Sequence, residues 1–444
     1  MKVLLVALNA RYTHSNLALR YLRNEIAGAG HHAVIREFSI NQNYFDIIDT
    51  ITGENPDVIA LSVYIWNAEL MRTLIADIIK LIPEIKIIVG GPEAGYDAER
   101  WKNISGVIAV ICGHGEGAMR RLAQNDFQTD EKIIARTNIS FADIPFPYTE
   151  DDFAALAGKY IYYESSRGCP FSCSYCLSSR EDALLEFRDP GQTCDELDRL
   201  IDHQSLVIKF VDRSFNADPK RARAIWEHLI KKKGESRFHF EIHPLLLEEA
   251  DFDCLEHVPQ DLFQFEIGVQ SIHEKTLRAV GRTGSWEKSK ENIRRLINLK
   301  NIHIHLDLIA GLPGETLSEI GESIDEIMSL NADHFQLGFL KVLPGTEIAS
   351  QAEEFGIIRT EKPPYQILAN RWLSRQDLTL LRRIEQLIDT TYNGSLSRSV
   401  IRDYALREGG YFSAYLAILR YAEKSGFDIS TKNPSKLGEL FSHL

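Results

Sequence analysis

The sequence predicts an α/β protein in three parts: a parallel sheet with helices on both faces, a second series of six βα steps, and a helical tail. Three observations carry this reading. Residues 1–140 alternate short, fully apolar runs with segments of helical periodicity. Residues 160–343 do so again with six apolar runs, and beyond about residue 350 the strand pattern stops. Strands that are apolar at every position need cover on both faces, so their alternation with helices predicts parallel sheets.

In the first part the apolar runs are residues 2–8, 58–64, 85–89 and 107–111. Helical periodicity over residues 16–29 stops at Gly30, and a second helix runs to Ile82. Polar and Gly-rich segments, residues 9–16, 62–67, 90–95 and 113–117, fall at the carboxyl ends of the strands. Open parallel sheets bind ligands at those ends. The class is Rossmann- or flavodoxin-like, but no GxGxxG follows the first strand, which argues against a dinucleotide. Pro145, Pro147 and the acidic residues 150–152 mark a linker over 141–157. The six strand candidates of the second series are residues 160–165, 206–211, 238–242, 262–269, 303–309 and 335–343. Six steps are too few for a full eightfold barrel and predict a partial one. Residues 378–392 and 411–424 read as amphipathic helices. The expected division is therefore 1–140, a linker, 158–345, and a C-terminal extension over 346–444.

Composition excludes several classes. Fifty basic against 63 acidic residues give a net charge of −13, which argues against broad nonspecific binding to nucleic acid. No apolar run reaches the ~18 residues of a membrane span. Residues 1–9 carry no cleavage signal, so a cytoplasmic protein without a membrane partner is expected. Three of the six cysteines fall in one short segment, a pattern that points to metal ligation rather than to disulfides. Cys112, Cys194 and Cys254 read as free thiols.

That segment is Ser166-Arg167-Gly168-Cys169-Pro170-Phe171-Ser172-Cys173-Ser174-Tyr175-Cys176. Three thiolates spaced four and three apart converge only if the chain wraps around the metal, which Gly168 and Pro170 favour. A zinc site wants a fourth ligand at close spacing, and Cys194 and His203 lie too far along. A four-iron cubane with three Cys ligands keeps one iron open for a substrate. The segment resembles the CxxxCxxC signature of radical S-adenosylmethionine (SAM) enzymes, including an aromatic residue, Tyr175, before the last Cys. The resemblance implies a [4Fe-4S] cluster on Cys169, Cys173 and Cys176. Its open iron would chelate SAM, which one electron cleaves to a 5′-deoxyadenosyl radical. It also implies a partial (β/α)6 barrel.

Later segments extend the resemblance. Asp212, after the second strand, stands where the family carries an acid for the SAM amino group; helix capping is the alternative. Glu266, Gln270 and Ser271 resemble the fourth strand, which lines the ribose. Asp307 and Gly311 resemble the fifth, where glycines let the backbone pass close to adenine. Leu343 stands at the end of the sixth.

The N-terminal part resembles cobalamin-binding domains. Ser62, Gly90, Gly91, Glu93, Gly113 and Gly115 match the small-residue turns that admit the nucleotide tail. Those that ligate cobalt carry DxHxxG after the first strand. Here His14 stands at the His position, but Tyr12 and Leu17 replace the Asp and Gly, so a loop His is expected, with cobalt ligation by His14 as the alternative. The layout implies a cobalamin-dependent radical SAM enzyme, expected to methylate an unactivated carbon of a small molecule or peptide. An electron donor of the flavodoxin or ferredoxin kind is implied as partner. Rearrangement without methyl transfer, a methylthiotransferase-like modification of RNA or protein, and a cobalamin or redox sensor stay open as alternatives.

Overall fold

The computed structural model describes residues 1–137, 139–179, 185–232, 234–394, 398–431 and 433–442. Its first sheet has six strands: β1 (Lys2–Asn9), β2 (His32–Ser39), β3 (Val58–Ser62), β4 (Lys86–Gly90), β5 (Val107–Ile111) and β6 (Ile133–Ile134), in the order β2-β1-β3-β4-β5-β6. Every pairing is parallel. Alternate side chains of β1 enter two separate cores: Leu4, Val6 and Leu8 pack on one face, Val3, Leu5 and Ala7 on the other. That two-sided burial is what the unbroken apolar runs required. β2 was not visible in the sequence. It is an edge strand with the polar residues His32, Arg36 and Glu37, and it is only half-buried.

The second sheet follows a linker helix, Glu150–Ala155, that is tied back to the first domain by Arg23 and Asp152 at 2.7 Å. Its strands are β7 (Ile161–Tyr163), then β10 (Val207–Phe210), β11 (Arg237–Glu241), β12 (Phe263–Gln270), β13 (His303–Ala310) and β14 (His334–Phe339). They form an open parallel sheet in strict sequence order. A short antiparallel pair, β8 (Ser166–Arg167) and β9 (Glu186–Phe187), stands beside β7. Along β12 burial alternates without exception: Phe263, Phe265, Ile267 and Val269 are buried among the surrounding helices. Gln264, Glu266, Gly268 and Gln270 turn to the opposite face, the lumen.

The tail adds what the sequence did not show. A small hairpin, β15 (Ile358–Arg359) with β16 (Ile367–Ala369), precedes the helices Arg375–Thr390, Arg398–Glu408, Tyr411–Ser425 and Pro434–Ser442. The hairpin arm pairs with the segment after β14, through Ile367 N–H to Leu340 O at 3.0 Å and Val342 N–H to Tyr365 O at 2.9 Å. Leu378, Ile384, Tyr415 and Ile418 share one core with the barrel helices. Among the described residues, no helix is long and apolar enough to cross a membrane.

Candidate functional site

The three-cysteine loop leaves β8 through Gly168, whose φ of +86° suits only glycine well. Cys173 is buried, and Cys169 and Cys176 are half-buried. Burial raises the Cys169 thiol above its ordinary pKa, and the neighbouring Cys176 and Cys173 thiols push it further, so the three share one electrostatic neighbourhood. Among the described residues no three His, Cys, Asp or Glu side chains are gathered tightly enough for a single metal ion. The loop is held from several sides. Ser174 N–H donates to Val280 O at 2.9 Å, and Ile348 N–H donates to Ser174 O at 2.9 Å. Phe171 stacks on His243 at 4.2 Å, and the Tyr175 hydroxyl bonds to Cys173. At its root Arg167 forms ion pairs with Glu164 at 2.9 Å and, across the domain boundary, with Glu116 at 2.6 Å.

The lumen next to this loop is polar. Register puts Glu266 beside Glu241 and His305, and His305 beside His334. His239 Nε2 lies 2.9 Å from Glu266, and His305 Nε2 lies 3.5 Å from Asp307. Burial raises the Asp307 carboxyl to about 8, with the Glu266 and Glu241 charges adding to it. Burial raises Glu241 to about 7. Burial and then His334 push His305 down to about 4, so it is neutral. Glu241 and Glu266 each keep 36 % of their side-chain surface exposed although both lie deep in the molecule. They therefore wall an internal space. Buried polar atoms without a hydrogen bond line it: Gln270 Oε1, His305 Nε2, Asp307 Oδ1 and both His243 ring nitrogens. Such atoms are costly unless a ligand or water meets them.

The carboxyl edge of the first sheet faces this lumen. His14 Nδ1 lies 2.7 Å from the Tyr162 hydroxyl of β7, and Tyr160 N–H donates to Thr13 O at 2.8 Å. After β3, Tyr64 and Trp66 stack at 4.3 Å and 9°, with Trp66 44 % exposed and its indole N–H on Leu8 O at 3.1 Å.

Comparison with known proteins fits both halves. Residues 3–123 match the family model described as B12 binding domain, and residues 163–327 match the Radical SAM superfamily. The chain is a radical SAM protein with a B12-binding domain. Residues 353–444 match a third family, described as a protein of unknown function (DUF4080). The cobalamin-dependent radical SAM methyltransferase TokK of Streptomyces tokunonensis is 23 % identical over 70 % of this chain and 51 % of its own length. The tRNA-2-methylthio-N(6)-dimethylallyladenosine synthase of Acinetobacter baylyi is 25 % identical over 61 % of this chain and 59 % of its own. The chain thus spans between half and three-fifths of these curated relatives. Among solved structures, OxsB, a cobalamin-dependent SAM radical enzyme with aqua-cobalamin bound, superposes with a TM-score of 0.71 at 15 % identity. That match covers 99 % of this chain and 78 % of OxsB. TsrM of Kitasatospora setae, with cobalamin and [4Fe-4S] cluster bound, gives 0.67 at 16 % identity, covering 81 % of this chain and 76 % of TsrM.

The radical SAM protein places its sequence-predicted residues unevenly. Asp212 is fully buried and accepts from Ser165 N–H at 2.9 Å, from Ser165 Oγ at 2.6 Å and from Ser166 Oγ at 2.6 Å. Arg221 stands 3.8 Å away. Both oxygens bind the root of the cysteine loop, a structural role that stands beside the expected SAM amino contact. Ser271 is also fully buried and donates to Glu315 at 2.7 Å. Gln270 (φ +72°) folds its amide over Gly268, where a Cβ would meet it at 2.0 Å. Gly311 has φ +100°, but the space of its missing Cβ is taken by Ile367 of β16 at 3.0 Å rather than left for adenine. The Leu343 carbonyl accepts from Thr346 Oγ at 2.6 Å. Glu266 and Asp307 do face the lumen.

In the B12-binding domain, Ser62 accepts from Asn16 at 3.1 Å. Gly90 leaves ordinary van der Waals room, with Ile111 at 3.7 Å from a notional Cβ. Gly91 (φ +100°) would drive a Cβ to 2.5 Å from Val63 O, so this glycine serves the chain's own packing. A Cβ at Gly113 (φ +73°) would meet Arg136 at 3.2 Å, and one at Gly115, next to the helix Glu116–Gln124, would meet Leu22 at 3.2 Å. Glu93 is buried and accepts from the Tyr365 hydroxyl of the tail. His14 is bonded through Nδ1 to the Tyr162 hydroxyl, a contact that fits a loop His and a cobalt ligand alike. Sequence reasoning missed Tyr64, Trp66, Arg167 and Arg282. An aromatic pair two residues apart at a strand end was the available signal for the first two.

The donor chemistry fits the implied groups. Three thiols on one loop suit a cluster with an open iron, the lumen's polar atoms without hydrogen bonds suit a polar ligand beside it, and the exposed Trp66, stacked on the half-buried Tyr64, suits a flat macrocycle.

Proposed function

We propose that this chain is a cobalamin-dependent radical SAM methyltransferase of a small molecule or peptide, working in the cytoplasm with a flavodoxin- or ferredoxin-like electron donor. The observation that carries the reading is the position of the three-cysteine loop. It sits at the lumen mouth of the parallel barrel and is pinned by Arg167–Glu116 to the domain that matches B12-binding proteins. When bound, the cluster and SAM supply a 5′-deoxyadenosyl radical and cobalamin supplies a methyl carrier.

This chain's own residues do the rest. Cys169, Cys173 and Cys176 hold the cluster, and Tyr175 and Arg282 donate toward Cys173. Asp212 fixes the loop root through Ser165 and Ser166. Glu266 and Asp307 offer acceptors to SAM hydroxyls or to a polar substrate; Asp307, raised to about 8, keeps its proton at neutral pH and can also donate. Tyr64 and Trp66 present a flat face to the corrin, and Ser62 and Gly90 border it. The tail hairpin and the first sheet cover the lumen, which keeps water from a reactive intermediate.

A methylthiotransferase reading is not favoured, because residues 1–140 hold a single cysteine, Cys112, and the described residues after β16 are helical. The test is anaerobic reconstitution with iron, sulfide, hydroxocobalamin and SAM. Methyl transfer through cobalamin yields S-adenosylhomocysteine beside 5′-deoxyadenosine and a product heavier by one CH2. Deoxyadenosine alone, with a product of unchanged mass, would favour rearrangement.

A further inference from the structure

Arg282 follows the helix Glu274–Ala279 and ends up against the cysteine loop. Its Nη1 lies 3.9 Å from Cys173 Sγ, and its Nη2 donates to Gly268 O of β12 at 2.5 Å. The segment around it grips the loop backbone as well. Val280 O accepts from Ser174 N–H at 2.9 Å. Gly281 (φ +68°) lies so close that a Cβ would stand 2.6 Å from Ser172 O. The guanidinium is therefore held at both ends and has little freedom to swing away. Among the described residues, no carboxylate lies within ion-pair distance of it. Among the described residues, the group able to carry a negative charge in hydrogen-bond contact with it is the Cys173 sulfur.

A cation fixed beside one thiolate acts on a cluster in a defined direction. Hydrogen bonds and charge near the sulfurs set reduction potentials. A charge-assisted bond disperses negative charge from the thiolate, and reduction adds one more negative charge, so the reduced state gains more. We propose that Arg282 is a positioning residue that raises the reduction potential of the cluster through Cys173, easing the transfer of one electron from an external donor protein of the flavodoxin or ferredoxin class. The electron enters the cluster and the donor is oxidised by one; no bond to the protein forms or breaks. This rests on the proposed function only in requiring that a cluster forms.

The experiment compares wild-type protein, Arg282→Gln and Arg282→Lys after anaerobic reconstitution with iron and sulfide. Iron and sulfide are assayed, and the midpoint is read by paramagnetic resonance during a reductive titration. The expected result is full iron content in all three. In the Gln variant the ratio of reduced to oxidised cluster at a fixed potential should fall about tenfold, a midpoint more negative by ~59 mV for one electron. The Lys variant, which keeps the charge, should lie nearer wild type. Equal midpoints in wild-type and Gln proteins would overturn the proposal. So would loss of iron from both variants, since Arg282 would then serve assembly rather than potential. Failure of the wild-type protein to take up iron would instead count against the radical SAM reading itself.

Discussion

Asp307 is a strand residue of the barrel and Asp212 follows β10 by two residues, and the sequence resemblance gave both to SAM. Packing separates them. Asp212 accepts three hydrogen bonds from Ser165 and Ser166 and touches Arg221, whereas Asp307 Oδ1 is buried without a hydrogen bond and meets the His305 ring at 3.5 Å. Asp212→Ala should therefore lower cluster occupancy, because it strips three buried donors of their acceptor. Removing one partner of such a buried charged network costs about 3–5 kcal/mol, and calorimetry with iron assay checks both effects. Intact iron content with weakened SAM binding would favour the contact role. For Asp307 the sign of the pH effect is fixed. Its carboxyl is raised from 3.8 to about 8 by burial, then by Glu266 and Glu241. Between pH 4 and 8 the unfolded chain releases this proton while the folded chain keeps it, so stability falls as pH rises through that window. At 1.36 kcal/mol per unit, Asp307→Asn should stabilise the ligand-free protein by roughly 2–5 kcal/mol at pH 8 and by little at pH 4. Parallel melting curves across that range in the two proteins would contradict this. Spacing alone revealed the three cysteines, since a covalent ligand pattern is local. The distinction between Asp212 and Asp307 was not legible, because it depends on what other strands bring to each carboxylate.

At the scale of elements, apolar runs located ten strands well because buried strands of parallel sheets carry their own signal. β2 escaped because an edge strand is half-wet and its Arg36 and Glu37 break the run. The β15–β16 hairpin escaped because each arm is two or three residues long, and its register comes from Leu340 and Val342 rather than from its own pattern. The glycines show the same limit. Gly91 was legible as a residue that could not carry a side chain, but its reason is the Val63 carbonyl, not a ligand. Gly91→Val should destabilise the ligand-free protein by about 1–3 kcal/mol, the cost of a strained backbone or an overpacked contact. Gly281→Ala should reduce iron uptake, since its Cβ would press on Ser172 O of the cysteine loop. A Gly91→Val protein that melts like wild type and loses only corrinoid binding would return that glycine to the cofactor.

The whole molecule is held as one working unit by few contacts with large consequences. Arg167 and Glu116 bridge the two sheets with side chains 6 % and 7 % exposed. Tyr365 reaches Glu93 from the tail, and Lys362 reaches Glu69 at 2.7 Å. Glu116→Gln should cost about 3–5 kcal/mol, as expected for breaking a buried pair. By contrast, Glu249→Gln, whose own carboxylate is solvent-exposed beside Arg295, should leave the melting temperature unchanged. Equal effects of the two would mean that the domains do not depend on the Arg167 bridge. The order of the three parts was readable from chain pattern. Their mutual placement was not, because Arg167, Glu93 and Tyr365 find partners 51 and 272 residues away.

The central claim is that Cys169, Cys173 and Cys176 hold a cluster that cleaves SAM. It is tested most directly by assaying iron, sulfide and 5′-deoxyadenosine in anaerobically reconstituted wild-type protein beside Cys169→Ala, Cys173→Ala, Cys176→Ala and, as controls, Cys112→Ala, Cys194→Ala and Cys254→Ala. The account predicts about four irons per chain and deoxyadenosine formation in the wild type and controls, and loss of both in each of the first three variants. Full iron content and deoxyadenosine formation in any of those three would contradict it.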